Sequence, residues 1–207
     1  MPKKVTDVDG IIKRIEMSEN PLSADVFFIQ GSEYTYIVDV GSNDASYEAI
    51  KAIPKKKVII THFHADHAEN LRRLNVPDED LYVGDYTAKY YGGGTVIKEP
   101  MHLTDGVVID ILPLPSSHAK GSLTAIVNED TILLGDGCYS NNKGYNVSLL
   151  HDLIKVLKAA EFKKAVKSHE PDTYTKEELI NELETIYSFK EKRNPYISLD
   201  KLKGVSV

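Results

Sequence analysis

The sequence has a single cysteine, Cys138, and no apolar run that approaches the length of a membrane span. One cysteine cannot build an internal disulfide framework, which excludes the small disulfide-rich secreted folds and fits a reducing compartment. Residues 1–10 also lack the apolar segment of a secretory signal peptide. These absences predict a cytoplasmic protein with no membrane partner.

Positive charge is scarce as well. Lysine and arginine total 25 against 31 aspartates and glutamates, so the net charge at pH 7 is −6. Because nucleic-acid surfaces depend on clustered basic side chains, and the lysines here are scattered, we expect no nucleic-acid partner and a small-molecule substrate instead. A chain of 207 residues with 42% hydrophobic composition and no proline- or serine-rich linker predicts one domain over residues 1–207. A homodimer is the common oligomer to expect.

Histidine, in contrast, is concentrated. Residues 61–67 read Thr-His-Phe-His-Ala-Asp-His and follow the β-branched run 57–60, which is typical of a buried strand. His62 and His64 are two positions apart, so both point the same way if this segment is extended. Once the chain turns, Asp66 and His67 can face the position of a second metal ion, away from the first. The segment therefore predicts a metal centre with two neighbouring ions at the carboxyl end of a strand.

Three further residues occupy similar places at predicted strand ends. His118 follows the apolar run 107–114, and His169 follows residues 163–168. Asp136 ends the apolar stretch 131–135, where an exposed carboxylate is costly unless a cation meets it. These three residues are the remaining candidate ligands.

The other two histidines have plainer interpretations. His151 lies outside the apolar stripe of a predicted helix, formed by positions 149, 150, 153, 154 and 157, and is interpreted as solvated helix surface. His102 lies between Met101 and Leu103 in an irregular stretch without a recognisable partner. Neither is predicted to bind metal.

Strands and helices alternate along the chain, as in α/β proteins. Helical periodicity appears at about 45–52, 148–160 and 175–192. Strand-like runs appear near 11–17, 26–30, 34–39, 57–61, 107–113, 123–128, 131–135 and 164–168.

The order of the candidate ligands resembles the pattern of the metallo-β-lactamase superfamily. That pattern is His-x-His-x-Asp-His, then a lone His before a small-residue run, then Gly-Asp at a strand end, and a last His. The resemblance spans roughly residues 10 to 170. It implies an αββα sandwich, in which two mixed sheets carry helices on both outer faces and the metals lie at one edge between the sheets.

The resemblance also implies roles for individual residues. The first ion would be held by His62, His64 and His118. The second ion would be held by Asp66, His67 and His169, with Asp136 bridging the two. Asp39, at the end of the run 36–39, matches an early aspartate of the family that supports the metal loop without binding metal.

Two ions in this arrangement predict a hydrolase that uses a metal-bound hydroxide, with Asp66 orienting the nucleophile. The resemblance implies the substrate class, a small thioester, ester or lactone. Zinc is the default metal, and iron or manganese suits the same ligands. The motif style is closest to glyoxalase II, but the chain lacks room for that group's glutathione-binding C-terminal region. A mononuclear iron enzyme resembling persulfide dioxygenases, and a phosphodiesterase, are the alternatives.

Several residues near the motifs have open roles. Tyr139 and Tyr145 follow Asp136 closely and are candidate substrate contacts. Cys138 is interpreted as a small buried residue, with proximity to the metals as the alternative. The glycines Gly92–Gly94 follow a tyrosine-rich segment, and either end a surface helix or form a mobile flap.

Overall fold

The computed structural model describes residues 5–202. Its strands and helices are labelled in chain order. The first of two large sheets has seven strands, in the spatial order β1 (Val5–Asp7), β2 (Ile12–Ile15), β5 (Val26–Gln30), β6 (Thr35–Val38), β7 (Lys56–Ile59), β8 (Leu81–Val83) and β9 (Thr95–Val96). The pairs from β1 to β6 are antiparallel and those from β6 to β9 are parallel, so this sheet is mixed.

The second large sheet has six strands. Their spatial order is β10 (Met101–Thr104), β11 (Val108–Leu114), β12 (Ser122–Val127), β13 (Thr131–Leu133), β15 (Lys164–Val166) and β16 (Thr173–Thr175). Only the β13–β15 pair is parallel. Two short hairpin-like pairs complete the strands, β3 (Ser18–Glu19) with β4 (Leu22–Ser23) and β14 (Tyr145–Asn146) with β17 (Tyr196–Ile197).

Five α-helices connect or cover the sheets. They are α1 (Asp44–Lys51), α2 (Ala65–Ala68), α3 (Asp85–Tyr91), α4 (Val147–Ala159) and α5 (Lys176–Ser188). Three 3-10 turns lie at Glu69–Arg72, Asp78–Asp80 and Leu199–Leu202. The longer helices begin at polar caps: the Asn146 side chain accepts from the amides of Ser148 and Leu149, and Thr175 forms a reciprocal capping box with Glu178.

Apolar side chains form three layers. The central layer lies between the two sheets and includes Phe27, Ile29 and Ile111. The outer face of the first sheet packs on α1, and the outer face of the second packs on α4 and α5. This confirms the predicted sandwich of two mixed sheets with helices on both outer faces.

Every strand and helix predicted from periodicity is present, with ends shifted by a few residues. The strands that were missed are short, and most lie at sheet edges; the short helix α2 was missed too. The helix α3 is the surface helix that one of the two interpretations of the segment before Gly92–Gly94 expected. One helix position was wrong: Leu149, predicted in the buried stripe of α4, is 38% exposed, whereas Leu150 and Leu153 are buried. The glycines Gly92–Gly94 all have positive φ and end α3 in a turn, where the amide of Gly94 donates to Asp78.

Within residues 5–202, no helix combines the length and the apolar character needed to cross a membrane.

Candidate metal centre

The candidate ligands meet at one edge of the sandwich, on segments that follow the ends of strands. His62 and His64 follow β7, His118 follows β11, Asp136 follows β13 and His169 follows β15. Their nitrogen and oxygen atoms form two groups, and within each group the atoms lie within 4.8 Å of one another. The first group contains His62, His64 and His118. The second contains Asp66, His67, Asp136 and His169.

The short helix α2 explains why neighbouring residues join different groups. His64 is extended, with φ −66° and ψ 147°, and it is the residue that precedes the helix. The helical turn that starts at Ala65 then reverses the chain direction, so Asp66 and His67 face the second group. The sequence-based expectation that the loop turns between His64 and Asp66 matches this geometry.

In the first group, three imidazoles point at a common centre. His118 Nε2 lies 3.0 Å from His64 Nδ1, and the His118 Nδ1 lies 3.1 Å from the carbonyl oxygen of Ser140. Since Nδ1 must carry the proton to donate to that carbonyl, Nε2 of His118 is left with a lone pair directed at His64. The His62 ring is almost fully buried, with its centroid 4.5 Å from that of His64.

The second group brings two carboxylates against two imidazoles. Asp66 Oδ2 lies 3.2 Å from His169 Nε2 and 3.5 Å from His67 Nε2. Asp136 Oδ1 lies 3.3 Å from His67 Nε2 and 3.6 Å from His169 Nε2.

Asp136 also reaches the first group, because its other oxygen, Oδ2, lies 3.3 Å from His118 Nε2. Gly135, the residue before Asp136, allows the Asp136 side chain to lie between the two groups. Gly135 has φ 53°, and a Cβ atom there would lie only 2.5 Å from Thr61 Oγ1. Only glycine permits so close an approach of the β13 end to the histidine loop.

A buried aspartate orients this loop. Asp39 is fully buried, with φ 59°; its Oδ1 accepts from the amide of Thr61 at 2.8 Å, and its Oδ2 accepts from the Thr61 hydroxyl at 2.8 Å. The same Oδ2 lies 2.7 Å from His67 Nδ1. This contact fixes the proton of His67 on Nδ1 and leaves Nε2 to face the second group. Asp39 was expected to support the loop, and these contacts put it beside the loop; the part of Thr61 was not expected.

Burial and charge set the protonation of the buried histidines. Burial, followed by the charges of the neighbouring imidazoles, holds the pKa of His62 well below its ordinary value. Burial also lowers the pKa of His67, but the negative charges of Asp39 and Asp136 outweigh it and raise the pKa to about 10. His62 is therefore neutral at pH 7, whereas His67 holds a second proton whenever no metal ion replaces it.

The residues fit divalent metal ions. Three buried atoms that face the two groups have no hydrogen-bond partner among the described residues: His62 Nε2, His67 Nε2 and Asp136 Oδ1. Buried polar atoms are rarely left unpaired, because each costs about 1 to 3 kcal/mol. A metal ion in each group would satisfy these atoms, and a set of imidazole and carboxylate donors suits zinc, iron and manganese.

His169 is held by Asp25, which was not among the candidate residues predicted from the sequence. The Asp25 side chain is buried, and its Oδ2 accepts from the His169 amide at 2.8 Å. His169 has φ 67°, an uncommon conformation for a residue with a side chain. Arg14 lies beside both, with Nε 3.8 Å from Asp25 Oδ1. The only signal in the sequence was a charged residue in an otherwise apolar segment, Ala24 to Phe27.

The two tyrosines proposed as substrate contacts have different surroundings. The Tyr139 hydroxyl lies 2.6 Å from both the Ser168 carbonyl oxygen and Glu170 Oε1, on either side of His169. Tyr145 is buried in the apolar layer between the second sheet and its helices. Tyr139 thus braces the His169 segment, and Tyr145 packs in the core. Substrate contact by either tyrosine stays a prediction.

The remaining candidates lie outside both groups. His102 is exposed on β10, where its Nδ1 pairs with Asp110 Oδ1 at 2.7 Å. His151 is partly buried and stacks on the Tyr187 ring, so it is less solvated than predicted. Burial raises the pKa of the Cys138 thiol to about 12, so this cysteine is neither thiolate nor nucleophile at neutral pH.

Comparisons with known proteins bear on the fold and on the family. Solved structures with similar folds include a metallo-beta-lactamase from Pontibacter korlensis, with a TM-score of 0.65, 17% identity, and coverage of 87% of this chain and 97% of that one. A flavodiiron protein from Giardia intestinalis gives a TM-score of 0.66 and 13% identity, and the match covers 87% of this chain but 58% of that protein. A flavoprotein from Thermotoga maritima gives a TM-score of 0.69 and 11% identity, covering 93% of this chain and 63% of that one.

At these identities the likenesses show a shared fold and do not distinguish between reactions. No curated protein in the comparison matches the chain. A family model, described as the metallo-beta-lactamase superfamily, matches residues 20–186. Because that match includes every residue of both donor groups, the chain belongs to the metallo-beta-lactamase superfamily.

Proposed function

We propose that the protein is a dinuclear metal-dependent hydrolase of a small thioester, ester or lactone. The observation that carries this proposal is the pair of adjacent donor groups with Asp136 between them, one carboxylate oxygen near His118 and the other near His67. A bridging carboxylate between two imidazole-rich groups is a suitable arrangement for two neighbouring divalent ions. Zinc is the proposed metal, held by His62, His64 and His118 on one side and by Asp66, His67 and His169 on the other.

Two ions held there would supply a water molecule activated at neutral pH and a positive charge for the oxygen of the scissile bond. The carboxylate of Asp66 is the group proposed to orient that water. Burial raises the pKa of Asp66, but the hydrogen bond from His169 and the charge of His67 outweigh it, so the pKa lies below its ordinary value. Asp66 is therefore ionised at pH 7, as both metal binding and the orienting of a water molecule require.

A water nucleophile is favoured because, among residues 5–202, no activated side-chain nucleophile lies at the centre. Cys138, the single cysteine, is buried and carries its proton. A water molecule is then the natural attacking group, as expected for hydrolysis of an ester or thioester. The net charge of −6 disfavours nucleic-acid phosphodiesters as substrates.

The test is elemental analysis of protein purified without chelators, with a panel of esters, thioesters and lactones assayed on the same sample. About two zinc ions per chain together with acyl hydrolysis would support the proposal. About one iron per chain without hydrolysis would replace it with a sulfur-oxidising enzyme that resembles persulfide dioxygenases. Two ions with turnover of bis(p-nitrophenyl) phosphate, and of no acyl substrate, would favour a phosphodiesterase.

A further inference from the structure

A cavity of about 350 Å³ opens beside the first donor group, with His118 in its wall. Phe63, from the histidine loop, contacts the His64 ring at a centroid distance of 4.8 Å and lines the same cavity. His118 therefore borders both the first donor group and this cavity, so the space lies beside a ligand whose reacting bond is at the metal centre.

One part of the cavity wall is aromatic and apolar. Phe63 stacks on Tyr90 at 4.7 Å with an interplanar angle of 8°, and it lies 5.9 Å from the ring of Tyr86, a second lining residue. Across the cavity, Leu149 from the first turn of α4 is 38% exposed. Leu149, Phe63 and Tyr86 therefore form an apolar surface against which a flat apolar group of a ligand can pack.

The lining of the cavity includes a lysine and no carboxylate, in a chain whose net charge is −6. None of its eleven lining residues, all of them described, is an aspartate or glutamate, and one is Lys120. The Lys120 Nζ lies 5.6 Å from the centre of the Tyr86 ring and takes part in no ion pair with residues 5–202. Two more lysines lie near aromatic rings of the cavity wall. The Lys89 Nζ is 5.9 Å from the centre of the Tyr86 ring, and the Lys143 Nζ is 5.9 Å from that of Tyr196, another lining residue.

The space beside the other donor group has the opposite character. A cavity of about 240 Å³ next to His169 is lined by Glu16, Asp25 and Glu170, with Arg14 as its one permanent cation. The two sides of the metal centre therefore differ in charge, which gives a bound substrate a preferred direction.

We propose that the cavity beside His118 binds the anionic, flat apolar end of the substrate, such as an aryl group that carries a carboxylate, with Lys120 pairing with the anion and Phe63 and Tyr86 contacting the ring. This substrate class rests on the proposed hydrolase function, because it places the scissile ester or thioester at the two donor groups.

The test measures binding rather than turnover, with two probes of nearly equal shape. Benzenesulfonate is an aryl anion and a weak metal ligand, and methyl phenyl sulfone is its neutral counterpart. Both are titrated by NMR into the metal-loaded wild type and into Lys120→Gln. Lys98→Gln is the matched control, because Lys98 is also exposed but lines a different cavity.

We expect wild type and K98Q to bind benzenesulfonate more tightly than the sulfone, and K120Q to weaken the sulfonate alone by about fivefold. Added salt should reduce the preference of the wild type for the anion. A further variant, Tyr86→Leu, should weaken both probes alike because it removes the aromatic wall. The proposal would be overturned if wild type bound the two probes equally, or if K120Q kept the wild-type affinity for benzenesulfonate. It would also be overturned if K98Q lost as much affinity for benzenesulfonate as K120Q.

These outcomes are independent of the proposed reaction. If the protein hydrolyses acyl substrates without regard to their charge and K120Q binds benzenesulfonate normally, the cavity assignment fails and the hydrolase stands. If benzenesulfonate binding depends on Lys120 but no acyl substrate is turned over, the cavity assignment stands and the hydrolase fails.

Discussion

The contact between Asp39 and His67 allows a sharp test of the second donor group. Replacing Asp39 with Asn preserves shape, and asparagine tolerates the φ of 59° found at this position. The new amide can still accept from the Thr61 amide through its oxygen, as Asp39 does at 2.8 Å. Its NH₂ group then faces His67 Nδ1, 2.7 Å away in the wild type.

Two donors cannot share that contact, so His67 must move its proton to Nε2 and accept at Nδ1. The atom that faces the second donor group then carries a hydrogen and cannot bind a metal ion. Loss of such a supporting partner weakens metal binding by about 10- to 100-fold, or about 1.4 to 2.7 kcal/mol. We expect Asp39→Asn to lose the second ion preferentially, while His62, His64 and His118 keep the first.

The assay is competition of the protein with a fluorescent chelator for zinc, which resolves one binding step from two. The matched control is Asp110→Asn, since Asp110 also contacts a histidine Nδ1 at 2.7 Å, that of His102 on the surface. Thermal unfolding of the metal-free proteins checks that both variants fold. If Asp39→Asn binds two ions with wild-type affinity, the role assigned to this contact is wrong.

Three further predictions address the site and the core. Asp136→Ala should abolish turnover and lower metal content, because it removes the carboxylate between the groups, whereas His151→Ala should do neither; elemental analysis and the acyl panel report both. Because the pKa of His67 is raised to about 10, its Nε2 must lose a proton to bind metal. The zinc affinity of the second group should therefore rise about tenfold per pH unit from about pH 7 to about pH 9. A zinc affinity that does not change with pH in the same competition assay would contradict this. Leu183→Ala, at a fully buried position of α5, should lower the free energy of unfolding by about 2 to 5 kcal/mol in urea, while Leu22→Ala, at a position 53% exposed, should change it by less than about 1 kcal/mol.

The candidate ligands were predictable because their signal is local. Three histidines and an aspartate within residues 61–67 are chemically unusual, and each remaining ligand directly follows an apolar run that reads as a strand. Strand ends of one sheet edge come together in any sandwich of this kind. The alternation of strands and helices likewise predicted an α/β protein, and the resemblance implied the two sheets with outer helices.

Asp25 was not predictable as a supporting residue, because its contact joins distant parts of the chain. Asp25 and His169 are 144 positions apart, and no periodicity in the sequence pairs them. Leu149 has the spacing of a buried helix position, but the first turn of α4 borders the cavity rather than the sheet. Helical spacing shows which residues share a face and does not show where the opposing surface ends.

The sequence by itself therefore determined the α/β class and the candidate ligands, since both follow from side-chain chemistry and local spacing, while the sandwich and the two groups about Asp136 were expected from the resemblance. Only the tertiary structure decided the distances within these groups, the support of His169 by Asp25, and the contrast between a cavity with Lys120 beside His118 and one with three carboxylates beside His169. The physical reason is that electrostatic interactions act through space over a few ångströms, between side chains whose separation along the chain carries no information about their distance.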